Sequence, residues 1–276
     1  MKNDLNIKLI ALDLDDTTLH SDATLSPEVE NAIKRAIAAG VEIAVASGRS
    51  LHSLPKSVLN IGGIRYAITS NGSAVCRISD GEALACYTLR PESVSGILEY
   101  FSSELMETFI DGQAYCDARY YDDPAAYNCP PAYVDYVKTT RIPVKNMPEF
   151  IKANAGRLES VDLRAVGAEM RARLWEKAEK IEGLYVTSSS PLLLEMADEN
   201  AGKAQGLKFL CEYLGIPRES CAAFGNGDND AEMLRWAGLG VAVKNASKLC
   251  LEAADLIGPS NDEDCVARVL EEVLGI

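Results

Sequence analysis

Histidine is nearly absent from this chain: His20 and His52 are the only two. A histidine-rich metal hydrolase or a phosphohistidine mechanism therefore lacks ligands or bases. A Ser-His-Asp hydrolase would have to use one of the two, and no Gly-x-Ser-x-Gly elbow accompanies them. The eight cysteines form no Cys-x-x-Cys pair and none has zinc-ligand spacing to a histidine, so they read as small, reduced core residues. No run approaches the roughly 20 apolar residues of a membrane span. The first residues, MKNDLNIKLIALDLDD, carry acids within their apolar run and no signal-peptide cleavage pattern. Excess positive charge is lacking too. The net charge is −14, which disfavours nucleic acid and anionic membranes as partners. These absences imply a cytoplasmic, reducing setting. A phosphate site in so acidic a chain needs local compensation by metal, lysine or backbone N–H groups.

What is present is an alternation of buried strands and helices. Residues 7–12, IKLIAL, read as a strand buried on both faces. Ser26 and Pro27 suit the cap and first position of a helix that stops at Gly40. Residues 41–46 and 66–70 read as further strands. The pattern resumes late, with a helix over 201–214, strands at 221–224, 239–243 and 255–257, and a closing helix from Glu263 to Leu274. Strand–helix–strand order implies a parallel sheet with right-handed crossovers. Between about 82 and 190 the texture changes, with many tyrosines, Pro130-Pro131 and an amphipathic helix around Ala168–Ile181. The expected fold is α/β: a discontinuous Rossmann-like core of residues 1–81 and 191–276, bearing an inserted α+β cap of residues 82–190.

The strongest chemical signal is Asp13-Leu14-Asp15-Asp16-Thr17-Thr18, at the end of the first buried strand. Ligands of open α/β sheets bind beyond such carboxyl ends. In extended chain Asp13 and Asp15 point the same way, into one pocket. A polar turn is the bland alternative. A calcium loop fails, because the sixth position lacks glycine and the twelfth from Asp13 is Thr24. Ser47-Gly48 follows the second strand, Lys203 opens a helix, and the acidic loop Gly225-Asn226-Gly227-Asp228-Asn229-Asp230 follows the fourth. Each is weak alone; their combination is specific.

The order acid pair, hydroxyl, lysine, acidic loop resembles the haloacid dehalogenase-like phosphatases. The wording LDLDDTTL, AVASGR, ITSNGS, GKAQGL and GNGDNDAEML looks like the Cof-type branch, with an α/β cap. The resemblance covers roughly residues 6–75 and 190–260, and the cap only by position and size. It implies a phosphatase in which Asp13 is the nucleophile forming an aspartyl-phosphate, Asp15 the acid and then base, and Ser47 and Lys203 the phosphoryl-stabilising residues. Thr17, Gly48, Arg49, Asn71, Gly72 and Asn229 would join Ser47 and Lys203 around the phosphate. Magnesium would be held by Asp13, the Asp15 peptide oxygen, Asn226 and Asp230, the last directly or through water. One departure stands out: Asn226 occupies the place of a metal-binding aspartate, and Asp228 is an alternative ligand.

The metal has an electrostatic rationale. Two like charges about 4 Å apart repel by roughly 4 kcal/mol at an effective dielectric near 20. That is about three decades of rate. An all-oxygen site carrying phosphate suits Mg2+. The implied partner is a small phosphorylated metabolite, a sugar phosphate or phosphorylated cofactor, acted on by a monomer or homodimer. Rival readings are a phosphomutase or phosphotransferase using the same intermediate, and a non-catalytic phospho-receiver. In the cap, Tyr115, Asp117, Arg119, Tyr120 and Tyr121 are candidates to face the cleft. Arg49 either reaches substrate phosphate or pairs with an acid on the core.

Overall fold

The computed structural model describes residues 6–165, 167–272 and 275. In chain order the strands are β1 (Leu9–Leu12), β2 (Glu42–Ala46), β3 (Tyr66–Thr69), β4 (Ala74–Arg77), β5 (Ala83–Cys86), β6 (Met106–Ile110), β7 (Gln113–Asp117), β8 (Arg141–Val144), β9 (Leu158–Arg164), β10 (Leu184–Thr187), β11 (Leu193–Asp198), β12 (Cys221–Gly225), β13 (Leu239–Ala242) and β14 (Leu256–Ile257). They form two sheets. The first has eight strands in the order β14-β13-β12-β1-β2-β3-β4-β5, and the second six, in the order β10-β11-β9-β6-β7-β8.

The uninterrupted apolar sequence of β1 places it mid-sheet, between β12 and β2, both parallel to it. Ile10 and Leu12 enter one apolar layer, Leu9 and Ala11 the other. That division is what a strand covered on both faces requires. In register, Leu12 lies beside Phe224 and Val45. Asp13, Ser47 and Asn226 therefore leave the sheet along one edge. The helix Pro27–Ala38 covers one face; Ser26 caps it by accepting from the Val29 N–H at 3.1 Å. The helix Lys203–Leu214 covers the other and ends at Gly215, where φ is +66°.

The second sheet is amphipathic by the two-residue alternation of β9. Val161 and Leu163 join a core with the helices Pro91–Phe101, Met147–Ala153 and Ala168–Ala178. Asp162 and Arg164, on the opposite face, line a cavity shared with Asp13. Strand pairing shifts both junctions expected for the insertion. β5 hydrogen-bonds to β4 as a hairpin of the first sheet, although it falls after residue 82. β11 pairs with β9 and β10 of the second sheet, although it follows residue 190. The closing helix is shorter than expected, Cys265–Glu272, with residues 273 and 274 outside those described. Asp264 breaks its start, taking a φ of +57° while its carboxylate accepts from Ser26. Among the described residues no helix is long and apolar enough to cross a membrane.

Candidate active site

A cavity of about 410 Å3 lies between the carboxyl edge of the first sheet and the polar face of the second. Asp13, Asp15, Gly48, Arg49, Asn226 and Asn229 form its core wall. Its far wall includes Glu107, Tyr120, Tyr136, Arg141, Asp162 and Arg164.

Asp13 is 5% exposed and sits against a lysine buried still deeper. Lys203 Nζ donates to Asp13 Oδ1 at 2.7 Å and to Asp230 Oδ1 at 2.6 Å. Asp230 Oδ2 accepts from the N–H groups of Asn226 and Gly227, each at 2.9 Å. Two carboxylates thus share one ammonium. Burial and then the Asp230 charge push the Asp13 carboxyl up to about 7, against the pull of Lys203. Burial would depress Lys203, but Asp13 and Asp230 outweigh it and hold the ammonium raised. Asp13 Oδ2 is buried and has no hydrogen-bond partner.

Asp15 is turned to Arg49, which donates Nε at 2.9 Å and Nη2 at 2.6 Å. This is a two-pronged guanidinium–carboxylate pair. The same guanidinium lies 4.2 Å from the ring centroid of Tyr136, and Arg141 lies 4.4 Å from it. Arg141 in turn binds Glu107 at 2.9 Å. A continuous chain, Asp15–Arg49–Tyr136–Arg141–Glu107, therefore ties one wall to the other. A second tie runs from Asn229 Nδ2 to Asn71 Oδ1 at 2.8 Å, and from Asn71 Nδ2 to Glu195 at 3.1 Å.

A family model for haloacid dehalogenase-like hydrolases matches residues 10–270. The chain belongs to that family. It is 30% identical to the phosphatase YwpJ of Bacillus subtilis, over 97% of this chain and all of that one. A solved haloacid dehalogenase-like hydrolase from B. subtilis superposes with a TM-score of 0.84 at 27% identity, covering 97% of this chain and 100% of its own. The subclass IIB sugar phosphatase BT4131 gives the same TM-score at 19% identity, covering 98% of this chain and 100% of its own, a likeness of fold. The chain is a phosphatase of the haloacid dehalogenase-like family.

In this hydrolase the expected residues divide into a wall and a layer behind it. Asp13, Asp15, Gly48, Arg49, Asn226 and Asn229 face the cavity. Ser47 is buried off that wall, its Oγ accepting from the Arg49 N–H at 3.1 Å. Thr17 also lies off it, donating to Asn226 Oδ1 at 3.2 Å. Gly72 also lies off that wall, packed so closely that a Cβ there would lie 2.1 Å from the Gly202 carbonyl oxygen. Asp230 is fully buried and off the cavity wall, its Oδ1 accepting from Lys203 and its Oδ2 from two backbone N–H groups. Asn226 is on the wall; Asp228 is not, and its nearest cation is Arg171 at 3.8 Å. Arg49 pairs with Asp15, the second of the two expectations for it.

Of the expected cap residues only Tyr120 faces the cavity. Tyr115 lies on the apolar side against Phe150, Asp117 caps the next helix and binds Arg119, and Tyr121 bonds with Lys138. Glu107, Tyr136, Arg141, Asp162, Arg164 and Glu195 are the residues that sequence reasoning missed. The alternation in LESVDLR was the available signal, since it places Asp162 and Arg164 on one polar face.

Proposed function

We propose that this phosphatase hydrolyses a small phosphomonoester through an aspartyl-phosphate on Asp13, with magnesium as cofactor. The observation that carries the reading is the asymmetry of the Asp13 carboxylate. One oxygen is fixed by Lys203, while the other is buried without a partner on a residue that lines the cavity. A buried orphan oxygen is rare in a folded protein and calls for a ligand.

In the proposed reaction an Asp13 oxygen attacks phosphorus and the bond from phosphorus to the ester oxygen breaks. Asp15 gives its proton to that leaving oxygen, then takes one from the water that hydrolyses the intermediate. Both Asp15 oxygens are engaged by Arg49, so Arg49 must let go of Asp15 before Asp15 can reach the leaving oxygen. Arg49 also lines the cavity, and an incoming phosphate is the natural competitor for it. Lys203 balances the charge gathering on Asp13.

The residues present fit a hard divalent cation. Among the described residues no three acidic, cysteine or histidine side chains converge on one point. Mg2+ does not need such a cage, since it keeps waters and uses one or two carboxylates with substrate phosphate. Asp13 Oδ2, the Asp15 peptide oxygen and the Asn226 amide oxygen would hold it. When bound, it would offset the repulsion between carboxylate and phosphate.

A cavity of about 410 Å3 lies in the usual range for small ligands, which supports a small phosphomonoester over a folded phosphoprotein. A receiver domain has no counterpart to the second sheet. The test is hydrolysis of p-nitrophenyl phosphate with release of inorganic phosphate over many turnovers. Asp13→Asn, or EDTA added to the native enzyme, is expected to abolish it, by 10^4-fold or more for the substitution on the order of other nucleophile deletions. Retention in either case rejects the mechanism. Ester cleavage without phosphate release would point to transfer onto a second hydroxyl.

A further inference from the structure

Two adjoining residues after β3, Ser70 and Asn71, both take a left-handed φ, +51° and +54°, and both are buried. Residues other than glycine hold such a turn only where their surroundings fix it. Backbone fixes one side. The Ser70 N–H donates to the Arg49 carbonyl at 2.9 Å, and the Asn71 N–H to that of Ser47 at 3.2 Å. Two buried glutamates of the second sheet fix the other: Ser70 Oγ donates to Glu159, and Asn71 Nδ2 to Glu195 Oε1 at 3.1 Å. The mechanism above uses neither glutamate. Glu195 is the one whose contact reaches the cavity wall, since Asn71 Oδ1 accepts in turn from Asn229 Nδ2 at 2.8 Å. It also sits against Gly48, where a Cβ would lie 3.3 Å from Glu195 Oε1.

An amide side chain has nearly the same shape either way round, so its hydrogen bonds decide which end is which. Here Glu195 decides. Its Oε2 accepts from the Ser189 N–H, and its Oε1 from the Ser189 hydroxyl at 3.0 Å as well as from Asn71. Burial raises the Glu195 carboxyl, while Asn71 and then Ser189 pull it back by donating to the ionised form. An ionised carboxylate only accepts. Asn71 therefore turns its NH2 to Glu195 and its oxygen to Asn229, and Asn229 turns its own NH2 to Asn71. The Asn229 oxygen is left towards Gly227, where a Cβ would lie 2.4 Å from it. One carboxylate of the second sheet thus sets the polarity of two amides in series, the second of them on the wall that Asp13 shares. Turned round, Asn229 would bring an oxygen lone pair to where its N–H groups stand. A lone pair repels the phosphate that an N–H attracts.

We propose that Glu195 is a positioning residue for phosphoryl transfer, holding the Asn71 and Asn229 amides in the orientation that a phosphate in the cavity requires. The proposal rests on the phosphatase mechanism above. The test is steady-state hydrolysis of p-nitrophenyl phosphate with magnesium, and its inhibition by orthovanadate, measured well below each variant's melting transition. Glu195→Gln keeps the shape but offers Asn71 an NH2 group, so both amides turn round or donor faces donor. Its kcat is expected to fall about 30-fold and its vanadate inhibition constant to rise by a similar factor, as for loss of a charged hydrogen bond. KM should stay within about threefold of native, since the interaction belongs to the transition state. Combining Glu195→Gln with Asn71→Asp moves the carboxylate one place along the series. Every donor then meets an acceptor again, and aspartate tolerates the left-handed turn. This exchange is expected to bring kcat back to within about threefold of native, whereas Asn71→Asp alone, with two carboxylates face to face, should lose about 30-fold or more. A residue that served folding alone would shift the melting transition and leave kcat and vanadate inhibition unchanged. A kcat within about threefold of native in folded Glu195→Gln, or a loss that the exchange does not recover, overturns the proposal. Should Glu195→Gln fail to fold, Asn71→Asp serves as the mismatched variant, and the exchange must exceed its kcat by about tenfold or the proposal falls. Absence of p-nitrophenyl phosphate turnover by the native enzyme would instead overturn the mechanism on which the positioning rests.

Discussion

The two walls of the cavity handle charge in opposite ways. On the core wall the charged groups around Asp13 and Asp15 are paired: Lys203 joins Asp13 to Asp230, Asp230 takes two backbone N–H groups, and Arg49 clasps Asp15. On the far wall Glu107 and Glu195 are paired, but Asp162, Tyr120 and Arg164 keep buried atoms without a partner. Chemistry that must always happen the same way benefits from groups fixed before the substrate arrives. The contrast sets apart Asp13 Oδ2, a buried core-wall oxygen without a partner among the described residues, and supports the role proposed for Asp13.

The contrast can be broken most forcefully at Lys203. Lys203→Met leaves two buried carboxylates facing each other without a cation. Loss of one preorganised charge partner typically costs about 10^2–10^3 in kcat. Breaking a buried pair costs about 3–5 kcal/mol of stability. Steady-state kinetics and a urea midpoint measure both, and a kcat within tenfold of native would mean that the core wall's pairing is structural only.

Asp13→Asn sharpens the point through pH. The native carboxyl titrates near 7, above the unfolded value of 3.8, so the fold holds a proton that the unfolded chain releases. Asp13 therefore costs stability increasingly as pH rises from about 4 to 7, and the cost levels off above 7. The Asn variant without metal should gain melting temperature over the native protein across that window, reaching several degrees at pH 8 for a gain of about 2 kcal/mol or more. A constant difference from pH 4 to 8 would show that the Asp13 charge is not strained.

The smallest effect is expected where the walls meet. Tyr136→Leu removes the ring shared by Arg49 and Arg141, and each such cation–ring contact is worth about 0.5–1 kcal/mol. KM for p-nitrophenyl phosphate should rise about fivefold. An unchanged KM would make the two walls independent.

The core wall was legible because its residues sit in short motifs beside strand ends. Once residues 7–12 are read as a doubly buried strand, Asp13 and Asp15 have one place to go, and Gly48 and Asn226 follow neighbouring strands that end on the same edge. The layer behind was harder. Ser47 and Thr17 have the chemistry of phosphate ligands, but their hydroxyls serve Arg49 N–H and Asn226. The far wall had no motif to read. Glu107 and Asp162 are brought side by side by strand register, and Arg141 reaches Glu107 across 34 positions of sequence. Tyr115 and Tyr121 failed as candidates because tyrosine density does not say which face of a strand or helix a ring occupies.

The contact of Gly72 with Gly202 bears on how Lys203 is kept in place. The chain re-enters the first sheet through Gly202, at a φ of +118°, directly before the lysine that holds Asp13. Backbone meets backbone there, with no room for even a methyl group. The seam acts as a clamp: whatever is spliced in upstream, the ammonium is registered against the core before the inserted segment can tug on it.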